Sequence, residues 1–375
     1  MKKNILAIAI ASAVATPVAF ANAPTVYGQF NMAVEFKNEE GNNVVHRNSR
    51  VGIKGSEDLG NGLKAVYQAE GTLANSGRNG SWSNDFSFDR NTFAGIAGGF
   101  GTVVMGRHDT PLRMIQPNDG FADSLLAGNN RTAFTGLSTS GEDRLDNVLA
   151  YISPSFAGVQ FAIAGSSATS GAKRTNVAGT QIDDTDRSSI AGAYSASLSY
   201  GSKKEGIYAA AAFTHVDETK LAGVSAKNKR ENVRATVQWN KSGLLLNAMY
   251  NNLSVGDNYT ATIKDQDGIS ATLGKAAIEG DAFTFGAAYK VGAFTPRAKV
   301  NLTQYKNRIG SGTNEWKKDS MSFALGVDYA LGKNTKVYAE YANLDKHNRN
   351  FVTSKNNNTE RTDSNAFSVG FFHKF

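Results

Sequence analysis

The chain closes on SNAFSVGFFHKF (364–375), in which Phe367, Val369, Phe371 and Phe375 fall on one face of an extended segment, with His373 between the last two. Ala366, Ser368, Gly370 and Lys374 fall on the other face, which Phe372 shares. Successive side chains of a strand point to opposite sides, so this alternation predicts a strand with one apolar face and one polar or small face. A strand that ends on an aromatic residue leaves a long sheet edge exposed unless another strand pairs with it. The segment from Val26 to Phe36, opening VYGQFN (26–31), is expected to do so and to close the sheet into a barrel.

The same alternation recurs along the chain. Arg50 and Lys54 oppose Val51 and Ile53, and Lys64, Val66, Gln68 and Glu70 oppose Leu63, Ala65, Tyr67 and Ala69. Phe93 faces away from Arg90, Thr92 and Ala94. Later, Arg234, Thr236 and Gln238 oppose Val233, Ala235, Val237 and Trp239. Arg297, Lys299 and Asn301 oppose Ala298, Val300 and Leu302, while Ser322, Ala324, Gly326 and Asp328 oppose Phe323, Leu325, Val327 and Tyr329. Charges in the middle of strands cannot sit unpaired in a dry core. They suit a water-filled lumen, with the apolar face turned to lipid. Tyr67, Trp239, Tyr250, Tyr289 and Tyr329 are read as strand-end residues of the aromatic girdles.

The connections are of two kinds. Seven are short: 58–62, 98–101, 153–158, 201–206, 240–243, 291–294 and 330–334. Eight are long and polar: 37–46, 75–86, 108–144, 168–188, 216–230, 254–281, 306–319 and 345–362. Seven short turns alternating with eight long loops require sixteen strands. The expected fold is therefore all-β: a sixteen-stranded antiparallel transmembrane barrel with short periplasmic turns and long extracellular loops. A barrel of that size encloses an aqueous channel.

The other end of the chain reads as an export signal. Lys2 and Lys3 precede an apolar stretch from Ile5 to Phe20, and Ala19-Phe20-Ala21 has the form of a cleavage site. Residues 1–21 are the expected signal peptide and 22–375 the barrel. No later stretch is apolar for the roughly 20 residues that a membrane-spanning helix needs. Losing Lys2 and Lys3 lowers the formal charge of +7 to about +5. That excess is dispersed, unlike the clustered footprint of a nucleic-acid binder. With no cysteine and five scattered histidines, thiol chemistry and the usual metal spacings are excluded. The glycines at 60–62 and 98–101 lead into no helix or GKS/GKT sequence, so they read as tight turns rather than phosphate loops. The acidic run IDDTDR (182–187) lacks the spacing of an EF-hand and reads as a surface loop, or as a point where divalent ions bridge loops to lipopolysaccharide. No nucleophile–base pair stands out. The expectation is a protein without catalysis, metal or cofactor.

Several segments resemble the trimeric general porins of Gram-negative bacteria, of the neisserial and enterobacterial types. They are TVYGQF (25–30), SRVGIKGSEDLGNGLKAVYQAE (49–70), RNTFAGIAGGFGTVVMGRHDTP (90–111), DNVLAYISPSFAGVQFA (146–162) and FHKF (372–375). The resemblance implies three barrels per assembly and a third extracellular loop folded into the pore, which fits the long 108–144 connection. It implies passive diffusion of ions and small hydrophilic solutes, in contact with outer-membrane lipid and lipopolysaccharide. It also implies a transverse field between wall cations and loop acids. By motif the wall cations are Arg50, Arg90 and Arg144, and the acids are Asp119 and Asp123, followed by Asp109. The first-strand basic residue of some relatives is Gln29 here. Arg107 either lines the pore or hydrogen-bonds the base of the loop. Arg50 and Arg90 have the alternative of structural salt bridges. Phe375 resembles the terminal signal by which barrel-assembly machinery recognises its clients. Two rival functions remain open. A channel for one substrate class, such as a sugar, would need a row of lumen aromatics, and Tyr208 and Tyr338 are lumen-facing by parity without forming one. A barrel whose loops act as an adhesin or phage receptor is the other.

Overall fold

The computed structural model describes residues 23–38, 41–73, 88–121, 144–166, 192–217, 229–264, 270–309, 315–344 and 364–375. The opening strand, β1 (Thr25–Lys37), pairs antiparallel with both β2 (Gly41–His46) and β3 (Arg50–Gly60). These two segments are halves of one stave, separated at residues 47–49. β4 (Leu63–Thr72), β5 (Thr92–Gly98), β6 (Gly101–Asp109), β7 (Arg144–Ile152), β8 (Val159–Ser166) and β9 (Ala193–Gly201) continue the wall. β10 (Gly206–Asp217), β11 (Lys229–Lys241), β12 (Leu244–Lys264) and β13 (Ser270–Tyr289) follow. β14 (Phe294–Ile309), β15 (Glu315–Ala330), β16 (Thr335–Leu344) and β17 (Ser364–Lys374) complete it. Seventeen segments thus form sixteen staves.

The closing seam lies where the terminal alternation puts it. β1 pairs with β17 in the register Met32↔Phe371, Val34↔Val369 and Phe36↔Phe367. The faces separate sharply there. Phe30 and Phe367 are 46% and 45% exposed on the outside, whereas Gln29, Glu35 and Ser368 are 5% exposed or less on the inside. A charged side chain on the lipid face costs about 2–4 kcal/mol at mid-membrane, so the two faces are not interchangeable. Outside the seam, Phe30 packs near Phe375 and Phe36 near Phe367, with centroids 5.7 and 6.2 Å apart. Cross-strand aromatic pairs of this kind hold register.

Three readings of the sequence need correction. The stretch 37–46 is mostly strand, and the hairpins β12–β13 and β14–β15 run far into 254–281 and 306–319. Backbone pairing continues there without apolar alternation to announce it, since hydrogen bonds between strands do not depend on the side chains. Phe93 turns inward: it packs on Val104, Val148, Ala150 and Ala164, while Ile96 and Met105 face out. Parity says which residues share a face. It does not say which face is wet, and here the inner one is apolar. Of the girdle aromatics, Trp239, Tyr289 and Tyr329 do end strands, but Tyr67 and Tyr250 stand well inside theirs.

Candidate functional site

Residues 110–121, which follow β6, fold against the inner face of the barrel. They begin with one helical turn, α1 (Pro111–Met114), which Thr110 caps by accepting a hydrogen bond from the Arg113 N–H at 3.3 Å. Proline at the first helical position suits this start, because its missing N–H would have no partner there. Leu112 and Ile115 are buried against Ala212 on β10. The Leu112 N–H donates to Ser195 Oγ at 3.2 Å, and Arg234 donates to the Leu112 carbonyl at 3.3 Å. The chain then tracks around the inner wall. Asn118 is bound by Gln238 and Asn247, on β11 and β12. Asp119 is ion-paired with Lys299 on β14. Phe121 is buried among Ala324, Ala342 and Ala366, on β15, β16 and β17.

Phe121 is also the floor for a cation. The Arg297 guanidinium lies 4.3 Å from its ring centroid. From β14 that guanidinium crosses Gly326, where a Cβ would come within 3.0 Å of Arg297 Cζ. A side chain there would make the guanidinium give by a few tenths of an ångström. Arg297 reaches Asp328 at 2.9 Å and Glu340 at 3.1 Å. Glu340 is shared with Arg47, which also meets Glu35 at 2.8 Å. Lys336 completes the ladder at 2.6 Å from Asp328. Each buried carboxylate in it has at least one cation against it, as burial of charge requires. A second group sits on the neighbouring wall. Glu70 accepts from Arg90 and from the Tyr27 hydroxyl at 2.8 Å, with Arg50 at 3.9 Å.

Between residues 119–120 and the wall lies a cavity of about 270 Å³, with Arg47, Arg50, Arg297, Lys336, Asp119 and Glu340 among its lining residues. The structure thus places Arg50 and Asp119 on one cavity, beside Gln29. Arg90 stands next to them through Glu70. Arg144 and Asp109 pair with each other at 2.7 Å, and Arg113 joins at 2.9 Å, where the loop leaves β6. Arg107 bonds Asp146 at 2.7 Å and the Asp89 carbonyl at 2.9 Å, on the parity of outward-facing Met105. It ties neighbouring strand ends and stays out of the cavity. Asp123 lies outside the described residues, as does the run 182–187. Tyr208 and Tyr338 both face inward, but Tyr338 is bonded to Asn31 whereas Tyr208 lies under Lys203.

Sequence reading missed Arg47, Lys336, Glu35 and Glu340 as parts of the site. The inward parity of Arg297, Lys299 and Asp328 was legible, but their meeting with one loop was not. Lys336 and Glu340 share the parity of inward-facing Tyr338, which is the signal that could have found them. Arg47 sits at the break between β2 and β3, where alternation fails.

Comparison with known proteins agrees with this architecture. The family described as Gram-negative porin matches residues 7–349. The major outer membrane protein P.IB of Neisseria gonorrhoeae is 33% identical over 187 residues, covering 46% of this chain and 51% of that protein. The chain spans about half the length of the curated relatives it matches. Among solved structures, the trimer form of OmpT from Vibrio cholerae superposes with a TM-score of 0.63 at 16% identity, over 95% of this chain and all of that one. The anion-selective porin from Comamonas acidovorans gives 0.61 at 20% identity, over 94% of this chain and 100% of that one. At such identities these two likenesses speak for the fold alone.

Proposed function

Because the chain belongs to the Gram-negative porin family, we propose that it forms a water-filled channel through which ions and small hydrophilic solutes diffuse passively. It is an outer-membrane barrel. The proposal extends to a homotrimer, to removal of residues 1–21 on export, and to contact with lipopolysaccharide and the assembly machinery. The observation that carries the reading is the gap between the inward loop and the wall, lined by fixed charges on both sides. Rings and clusters of fixed charge bias which ions pass. Arg47, Arg50, Arg297 and Lys336 stand there with Asp119 and Glu340, while Glu35, Glu70 and Asp328 pair with the same cations from behind, so the sign of the selectivity is set by a small imbalance of opposed charges.

Purified protein in planar bilayers should give large stepwise conductances, often in threes. Folded, heat-modifiable protein that conducts nothing would sink the channel. The reversal potential in a KCl gradient reads that imbalance directly. Replacing Arg50 and Arg90 together by alanine should move it toward cations. A unit charge about 8 Å from a permeating ion in water is worth ~0.5 kcal/mol, with opposite sign for cation and anion, so each charge is worth about fivefold in their permeability ratio. An unmoved potential would assign both arginines to holding Glu70 and nothing more.

A further inference from the structure

The loop leaves β6 toward the extracellular side, yet part of it is fastened at the opposite mouth. Residues 202–205 form the short turn between β9 and β10, on the periplasmic end of the barrel. Lys203 Nζ donates to the Met114 carbonyl at 2.6 Å and lies 5.1 Å from the Tyr208 ring centroid. The Lys203 carbonyl in turn accepts from Asn118 Nδ2 at 2.7 Å and from Gln238 Nε2 at 2.8 Å. Asn118 is held twice more. Its N–H donates to Gln238 Oε1 at 2.7 Å, and its carbonyl accepts from Asn247 Nδ2 at 2.8 Å. Gln238 is fully buried, so it reads both the loop and the turn from a fixed place.

We propose that Lys203 is a positioning residue that clamps residues 114–118 of the inward loop to the periplasmic mouth, so that the loop's docking is set from the periplasmic side. The proposal rests on the channel reading. Loss of a hydrogen bond from a charged donor shifts an equilibrium by roughly tenfold or more. The loop keeps its anchors at Asp119 and Phe121, so removing the clamp should loosen it rather than expel it.

The experiment uses the whole assembled protein. In planar bilayers Lys203→Met should show brief closures about tenfold more often than the parent. Lys203→Arg, which can donate to the same carbonyl, should restore the quiet record. The chain has no cysteine, so a thiol introduced by Gln116→Cys, within the clamped stretch but outside its hydrogen bonds, is a specific reporter. A charged methanethiosulfonate, followed by mass shift, should modify it about tenfold faster when Lys203→Met is present. Parental closure frequency together with a parental modification rate would overturn the clamp. Should Lys203→Met fail to assemble, Asn118→Ala alters only the loop, and the same rise in closures is then expected. Silence of the parent protein in the bilayer would overturn the channel reading instead, while the modification rate would still judge the clamp.

Discussion

Glu340→Ala will lower the temperature at which the folded barrel unfolds on a gel and shift the reversal potential toward anions. Glu340 is 5% exposed and is the carboxylate that Arg47 and Arg297 share. Ser368 on β17 also donates to it, at 3.2 Å. Through these contacts one residue of β16 ties together the break between β2 and β3, the middle of β14, and the terminal strand. Removing one partner of a buried ion pair costs about 3–5 kcal/mol in a dry interior. Arg47 keeps Glu35 and Arg297 keeps Asp328, and the lumen is wet, so about 2–3 kcal/mol is the fitting scale here. The Glu340→Gln variant separates the two effects. It removes the same charge but leaves an acceptor for the guanidiniums, so the electrical shift should persist while much of the thermal loss disappears. If both variants kept the parental reversal potential, Glu340 would lie off the ion path.

The second large effect is expected at the seam. Gly28 exchanges two backbone hydrogen bonds with Phe375, each 3.1 Å long. A Cβ on Gly28 would come within 2.4 Å of the Arg50 carbonyl and 2.6 Å of Phe375 Cζ. The Phe375 ring therefore covers Gly28 and occupies the place a side chain would take. Gly28→Val must move the ring and open the seam, because a backbone carbonyl cannot rotate away as a side chain can. Two hydrogen bonds at about 1 kcal/mol each and an aromatic contact of about 0.5–1.5 kcal/mol are at risk. The folded yield should fall by one to two orders of magnitude, on the scale of ~1.4 kcal/mol per tenfold. Deleting Phe375 should likewise reduce assembly more than it alters the conductance of molecules that do assemble. Parental yields of folded Gly28→Val protein would mean the seam tolerates an outward shift of β17. The recognition role proposed for Phe375 would then be its only part in assembly.

How far the site could be read in advance differs from residue to residue. The inward side of Arg234, Gln238, Arg297, Lys299 and Asp328 followed from position along their strands, and the structure buries each on the inner face. Arg50 and Asp119 could be named by resemblance, but nothing in their spacing said that they would share a cavity. Asp119 meets Lys299 across 180 positions of chain, and Arg47 meets Glu340 across 293. No local rule reaches that far. Phe93 marks the other limit, since its alternation with Ala94 was plain while its inward side was decided by Val104 and Val148.

The sequence by itself determined most strand positions, which residues share a face, the short turns and the closing pair of β1 and β17. Those follow from the two-residue period of an extended chain and the cost of facing charge to lipid. Only the tertiary structure decided which cation meets which carboxylate, and that the loop after β6 is pinned both at the far wall and at the periplasmic turn. Such pairings depend on how sixteen staves bring distant positions around one circumference. That curvature belongs to the closed barrel and to no single strand.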